Sequence, residues 1–451
     1  MKKRLLSASL AAVLAAAALT GCGGGKTETT AAAAAAGDTS STAASESAKD
    51  TAAAAGGEVN LNLCWWGNQV RNDVTKKAVD LYMSENPNVK INVEFTDWSG
   101  YWDKLSAMAA GGNLPDIIQM DYSYLNQYQQ SGQLADLSQF ITDGTIATDK
   151  IPESIIESGA VDGKTYAISL GSNAPMMVYD KAVVEKAGVT IPEQMTIDEL
   201  YDISKTIYEK TGVKTYYDSG INMLQSTARA NGSHIFDELP EGKTDSSSVH
   251  FANVEKFAKA EFEIPADLLA EKNPDVVETK PIIDGTTWND FSYSNQFISV
   301  SSTAGRELGI TMQPKLTDGK GQPMYLKPSQ FFSVAETSKN KEEAAKFIDW
   351  FINSVDANKI LMGERGIPVN TEVADAIKPE VDAVSQEVFD YIAKVGDVAA
   401  AIDAPDPAGK GEVEALVKTV SESINYGDST AEEAVASFVP EAKNILEEAA
   451  K

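Results

Sequence analysis

Histidine and cysteine each occur only twice in this 451-residue chain, as His234 and His250 and as Cys22 and Cys64. That scarcity removes most ligand sets for zinc, haem or an iron–sulfur cluster, and any framework of several disulfides. Any chemistry must rest on carboxylates, amides and aromatic rings. Four segments concentrate them: Trp65-Trp66-Gly67-Asn68, Thr96-Asp97-Trp98, Asp121-Tyr122-Ser123-Tyr124 and Thr287-Trp288-Asn289-Asp290. Rings beside acids and amides suit a carbohydrate, whose CH faces stack on aromatics while its hydroxyls need planar donors and acceptors such as Asp, Asn, Gln and Arg. Aromatics also fill cores. Trp65 lies on an alternating apolar face and reads as core, whereas Trp66, pointing the other way before Gly67, reads as a ligand contact. Trp98, Tyr122 and Trp288 stay open between the two roles, and Trp102 and Trp350 fall inside helical patterns as core. Arg71, one turn into a helix, is either salt-bridged or a ligand contact.

The elements that must position these groups follow from periodicity. Val59, Leu61, Leu63 and Trp65 alternate with Asn60, Asn62 and Cys64 as a strand, and Val70, Val74, Ala78, Leu81 and Tyr82 have helical spacing up to Pro87. Residues 90–95 read as a strand, 99–110 as a helix ending at Gly111-Gly112, and 116–120 as a third strand. This βα rhythm predicts a parallel sheet, with ligand beyond the carboxyl ends of its strands, where the first three aromatic segments fall. Residues 164–170 and 175–179 read as extended, and 181–187 as a helix. Thr196…Glu199, Asn340…Glu343 and Thr430…Glu433 have capping-box spacing, and the chain beyond about 372 is mainly helical.

Several motifs fail on inspection. Gly-Lys-Thr at 163–165 and 242–244 lacks the second glycine of a phosphate loop, and no metalloprotease helix, nucleophile elbow or calcium loop is present. A hydrolase needing only two carboxylates stays possible by count. The 38 Lys and Arg against 66 Asp and Glu, a formal charge of −28, argue against nucleic acid as a partner. With 43% hydrophobic residues, the chain has material for two domains. Lys2, Lys3 and Arg4 precede a short apolar run ending in Leu19-Thr20-Gly21-Cys22, which reads as a signal peptide (1–21) with a lipobox and Cys22 as the lipidated residue. Cleavage removes three cations and no acid, taking −28 to −31. Residues 22–57, rich in Ala, Thr, Ser and Gly, read as a lipidated low-complexity tether, with Cys64 left as a small buried residue.

The body resembles the sugar-binding extracellular solute-binding proteins of ABC transporters, whose fold is maltose-binding-protein-like. The phrases that carry the resemblance are Trp65-Trp66-Gly67 with Arg71 and Thr75, residues 111–119 (GGNLPDIIQ), 130–137 (QSGQLADL), 161–168 (VDGKTYAI), 177–181 (MVYDK) with Lys186-Ala187-Gly188, and 338–347 (SKNKEEAAKF). It departs from the family pattern at Asp180, often Asn, and at Tyr122 and Tyr124, often tryptophans. The resemblance implies an α/β, two-lobed, periplasmic-binding-protein-like fold of type II, with discontinuous lobes joined by hinge crossings near 167–170, 306–308 and 335–337. Residues 58–168 and 308–336 would form one lobe, and 169–307 and 337–451 a helix-rich second. It implicates Trp66, Arg71, Trp98, Asp121 and Tyr122 on the first lobe, and Asn173, Tyr293, Asn295 and Gln296 on the second, with Arg365 a further candidate. Asp97 and Trp288 join them from the aromatic segments. The expectation is a monomeric, lipid-anchored receptor on the outer face of a Gram-positive cell membrane, without cofactor, metal or catalysis. Its partners would be a carbohydrate and the membrane permease. The rival readings are a surface glycoside hydrolase and a receptor for a polyamine or peptide.

Overall fold

The computed structural model describes residues 57–450 apart from Asn68 and Asp275. The expected signal peptide, Cys22 and nearly all of the expected tether lie outside the described residues.

The alternation in the first strand is used on both sides. In β1 (Val59–Trp66), Leu61, Leu63 and Trp65 enter one core while Cys64 and Trp66 enter another on the opposite face of the sheet. β1 runs parallel to β2 (Val89–Thr96) and to β3 (Ile117–Met120). The helices α1 (Gln69–Glu85), α2 (Trp98–Ala110) and α3 (Tyr122–Gln130) follow these strands. Beyond the small hairpin of β4 (Ala160–Val161) and β5 (Lys164–Thr165), β6 (Ile168–Ser169) forms the far edge of the sheet. The chain then enters β7 (Ser172–Asn173) and β8 (Pro175–Asp180). β8 is the middle strand of a second, antiparallel sheet between β9 (Asn289–Tyr293) and β10 (Leu308–Thr311). β11 (Lys327–Pro328) pairs with β7, and β12 (Phe331–Val334) returns between β3 and β6, giving the order β2-β1-β3-β12-β6. The second lobe has its own core, built on Met177, Leu200, Phe251, Phe257, Trp288 and Phe438. This is the expected two-lobed α/β architecture.

The expected boundaries need correction. Leu308–Thr311 pairs with β8, so the chain stays in the second lobe past 308 and crosses at 327–330. Beyond 337, the helix Lys341–Asn353 still packs on the first sheet, Phe347 and Phe351 against Phe332. The helix Ala383–Gly396 lies instead beside β10. Thr196 and Thr430 form their capping boxes, but Asn340 does not. Its side chain donates to the Asn60 carbonyl at 3.1 Å, and Glu343 accepts from the Tyr82 hydroxyl at 3.3 Å.

Three chain segments meet between the sheets. Ser172 in β7 bridges Ile367 on one side and pairs with Pro328 of β11 on the other. Gly171 packs so closely that a Cβ there would lie 2.1 Å from the Arg365 carbonyl oxygen, and Gly366 (φ +92°) holds the left-handed turn opposite Ser329. Gly171→Ala should therefore force the segments apart and lower stability by about 1–3 kcal/mol, read from the denaturant midpoint. His250 is a core residue of the second lobe, with Nε2 3.2 Å from the Ser219 carbonyl. Burial pushes its imidazole down from 6.5 to about 4. The unfolded chain binds the extra proton first, so stability should be full above pH ~6.5 and fall by up to about 3 kcal/mol towards pH ~4. His250→Phe should flatten that slope in a pH series of thermal melts.

Candidate functional site

The carboxyl ends of the first sheet's strands deliver aromatic groups to one rim. Trp66, the last residue of β1, is 8% exposed. It packs edge-on against Trp98 (5.0 Å) and Tyr101 (5.2 Å) and tilts against Trp102 (5.5 Å). Behind them Tyr124 stacks on Trp102 at 3.7 Å, so Tyr124 supports the cluster from within. Trp98 opens α2, and at 43% exposure it presents apolar surface to solvent. Its neighbour Asp97 caps α2, accepting from Gly100 N at 3.0 Å, and does not line the cleft below. Asp121 caps α3 in the same way, accepting from Ser123 N at 2.9 Å, yet stands at the cleft wall.

Between the lobes lies a cleft with two compartments. The first, about 440 Å³, is lined by Trp66, Arg71, Trp98, Asp121, Asn173 and Asn295, with Met362, Val388 and Phe389 as further apolar wall. Arg71 is held by Glu364, Nε to Oε2 at 2.8 Å. Asn295 is placed by its neighbour Ser294, whose N–H donates to the Ala174 carbonyl (2.9 Å) while its hydroxyl accepts from Ala174 N (3.0 Å). The second compartment, about 410 Å³, shares Asp121, Asn173, Asn295 and Ser329 with the first and adds Tyr122, Tyr293, Gln296, Tyr325 and Lys327. The Tyr122 hydroxyl donates to the Asp403 carbonyl, joining the first lobe to the loop that precedes the helix Lys410–Asn425. Burial, and then the nearby Asp403 and Asp406, push that phenol up to about 12. The Asp403 carboxylate pairs with Arg229 and with His234 Nδ1 at 2.7 Å. Tyr293 and Tyr325 share a hydroxyl contact of 2.8 Å.

Besides Asp97, two further expected contacts are placed elsewhere. Trp288 is fully buried in the second core and donates Nε1–H to Thr215 Oγ1 at 2.9 Å, because the polar residues around it are themselves buried and paired. Arg365 borders the cleft, but its guanidinium turns into the core. It donates to Gln119 Oε1 (2.6 Å) and Thr75 Oγ1 (2.9 Å), beneath the rings of Phe332 and Phe351. Burial and the nearby Arg71 bring its pKa down to about 9, leaving it cationic at neutral pH. Asp180, the departure from the family's Asn, caps the helix Lys181–Ala187 and accepts from Arg306 Nε at 2.6 Å. Sequence reasoning missed Glu364, Arg229, Tyr325, Lys327 and Asp403. Glu364, Tyr325, Lys327 and Asp403 sit in loops or short strands where periodicity gives no direction, and Arg229 lies on the buried face of the helix Ile221–Ala230, where its partners come from distant loops. Among the described residues no group of acids, His and Cys is arranged to hold a metal ion.

The model of the bacterial extracellular solute-binding protein family matches residues 77–387. The chain belongs to that family. Among this binding protein's relatives, the galactooligosaccharide-binding protein of Bacillus subtilis is 24% identical over 69% of this chain and 73% of its own length. A maltooligosaccharide ABC transporter solute-binding lipoprotein of Streptococcus pneumoniae is 24% identical over 67% and 70%. The solved structure of a family 1 extracellular solute-binding protein from Alicyclobacillus acidocaldarius superposes with a TM-score of 0.80 at 27% identity, covering 87% of this chain and 99% of that one.

In this binding protein the two rim tryptophans differ in structural load. Trp66→Ala removes a buried ring and should cost about 3–5 kcal/mol. Trp98→Ala loses only edge contacts and should cost about 1–2 kcal/mol. Thermal melts of the two variants should keep that order.

Proposed function

We propose that this chain is the lipid-anchored receptor of an ABC importer, capturing an oligosaccharide in the interlobe cleft and presenting it to the membrane permease. The observation that carries this reading is the convergence of Trp66, Arg71, Trp98, Asp121, Asn173 and Asn295 on one cleft. It joins a ring face to planar amides and a charged hydrogen-bonding group, the combination a sugar needs. The names of the Bacillus and Streptococcus relatives point the same way. The lipobox ending at Cys22 supplies the anchor.

A sugar would first stack on Trp98 beside Trp66, meeting Arg71 and Asp121. The second lobe would then close through the crossings at 171–174, 327–330 and 365–367, bringing Asn295 and Gln296 onto the remaining hydroxyls. Closure is driven by the ligand's greater affinity for the closed form. Micromolar affinity requires about 8 kcal/mol, within reach of two rings and several hydrogen bonds in a partly desolvated cleft. The acids of the cleft favour binding over hydrolysis, since Asp121 caps α3, Glu364 holds Arg71, Asp403 holds Arg229 and Asp406 accepts from Gln225.

A thermal-shift screen across oligosaccharides, amino acids and polyamines tests the proposal. A bound sugar at 100 times its Kd should add about 2.7 kcal/mol of stability and be recovered uncleaved. In Trp98→Ala its affinity should fall at least tenfold. Silence towards every sugar, or a response confined to amines, would sink the reading.

A further inference from the structure

The second compartment holds a cation that forms no ion pair with any described residue. Lys327 lies on β11, opposite Asn173 in the crossing ribbon, and is exposed at the cleft. Its ammonium stands 4.8 Å from the centre of the Tyr293 ring. Such a contact fixes where the cation sits while leaving its charge intact. The other cations of the cleft are committed: Arg71 to Glu364, Arg229 to Asp403, Lys410 to Glu414, and Arg365 to the core. No ion pair is formed by Lys327 with any described residue, although Asp406 is near enough for the two charges to interact.

The acids around it are spoken for. The Asp121 carboxylate accepts from Ser123, Asp403 from Arg229 and His234, and Asp406 from Gln225 Nε2 at 2.9 Å. Asp406 is an exposed residue whose pKa is raised, chiefly by partial desolvation of its carboxyl. A ligand entering this compartment therefore meets one unpaired cation, with the side chains of Asn173, Asn295 and Gln296 lining the same space. A neutral sugar would leave the ammonium desolvated without an ion-pair partner as the lobes close, a cost that a ligand carboxylate reduces. A dianionic phosphate would exceed the single positive charge and face Asp121 and Asp406.

We infer that the ligand is an acidic oligosaccharide whose uronic-acid carboxylate is received by Lys327 in the second compartment, while a neighbouring unit stacks at Trp98. This rests on the proposed sugar receptor and narrows its substrate class. Lys327 is then the residue that sets specificity.

Calorimetric titration of the full folded protein with oligouronates of two to four units, in galacturonate, glucuronate and mannuronate series, each beside its carboxyl-reduced counterpart, tests it. At least one acidic series should bind ten times or more tighter than its reduced form, and raising the salt concentration should weaken that binding. Lys327→Met should abolish the preference by weakening the acidic ligand alone, and Lys327→Arg should retain it, with circular dichroism confirming both folds. Equal or tighter binding of the neutral forms would overturn the inference and leave the sugar receptor standing. An equal loss for both forms in Lys327→Met would overturn it too, since that marks a structural lysine. Binding of no sugar in either form would overturn the receptor reading with it.

Discussion

A buried guanidinium without a carboxylate partner organises the middle of this molecule. Arg365 donates from the crossing at 365–367 to Gln119 in β3 and to Thr75 in α1, and its own carbonyl accepts from Gln330 Nε2 at 2.7 Å. Gln119 in turn donates to the Trp66 carbonyl at 3.2 Å. One residue, through its side chain and its carbonyl, thus ties the first sheet, its first helix and two crossing segments to the strand end that carries the rim tryptophan. A buried charge is tolerated only with every donor directed at an acceptor, and removing one partner of such a network costs more than the bond itself. The position of Trp66 and the path of the crossings are consequently set together.

That coupling explains the division of labour along the cleft. The first-lobe wall is rigid: Trp66, Tyr101, Trp102 and Tyr124 hold one another by ring contacts, and the Tyr101 hydroxyl donates to the Gln119 carbonyl at 2.6 Å. The second-lobe wall is made of turns, with Asn295 and Gln296 in a short 3-10 segment and Asp403 in a coil. A preorganised stacking plate faced by adaptable polar groups limits the ordering cost of binding to one side.

Much of this was legible in the chain itself. The alternation of Val59 to Trp65 and the helical spacing after Val70 place β1 and α1 correctly, and two of three capping boxes form, because these signals are local. Trp98 and Asn295 also fall on the cleft. Trp288 misleads because Thr287, Asn289 and Asp290 look like a polar loop, whereas the Asn289 carbonyl, the Tyr216 backbone and Lys280 respectively satisfy them inside the core. Arg365 matches a family phrase but points inward, towards partners more than 240 positions away in sequence. The lobe boundaries were missed for a related reason. A four-residue strand such as Leu308–Thr311 carries no mark of which sheet will accept it, and only long-range pairing decides.

The placement of β12 constrains how the molecule is made. Phe331–Val334 fills the gap between β3 and β6, so the first sheet stays in two pieces until that segment arrives. A chain emerging amino end first must therefore deliver more than 330 residues before its leading lobe can close. Until then β3 and β6 are open edges that bind neither each other nor a ligand. Such late, distant closure makes assembly slow. It also leaves the leading lobe's sheet incomplete until that late segment is made, a state that suits a polypeptide which must thread a narrow translocation channel before it folds.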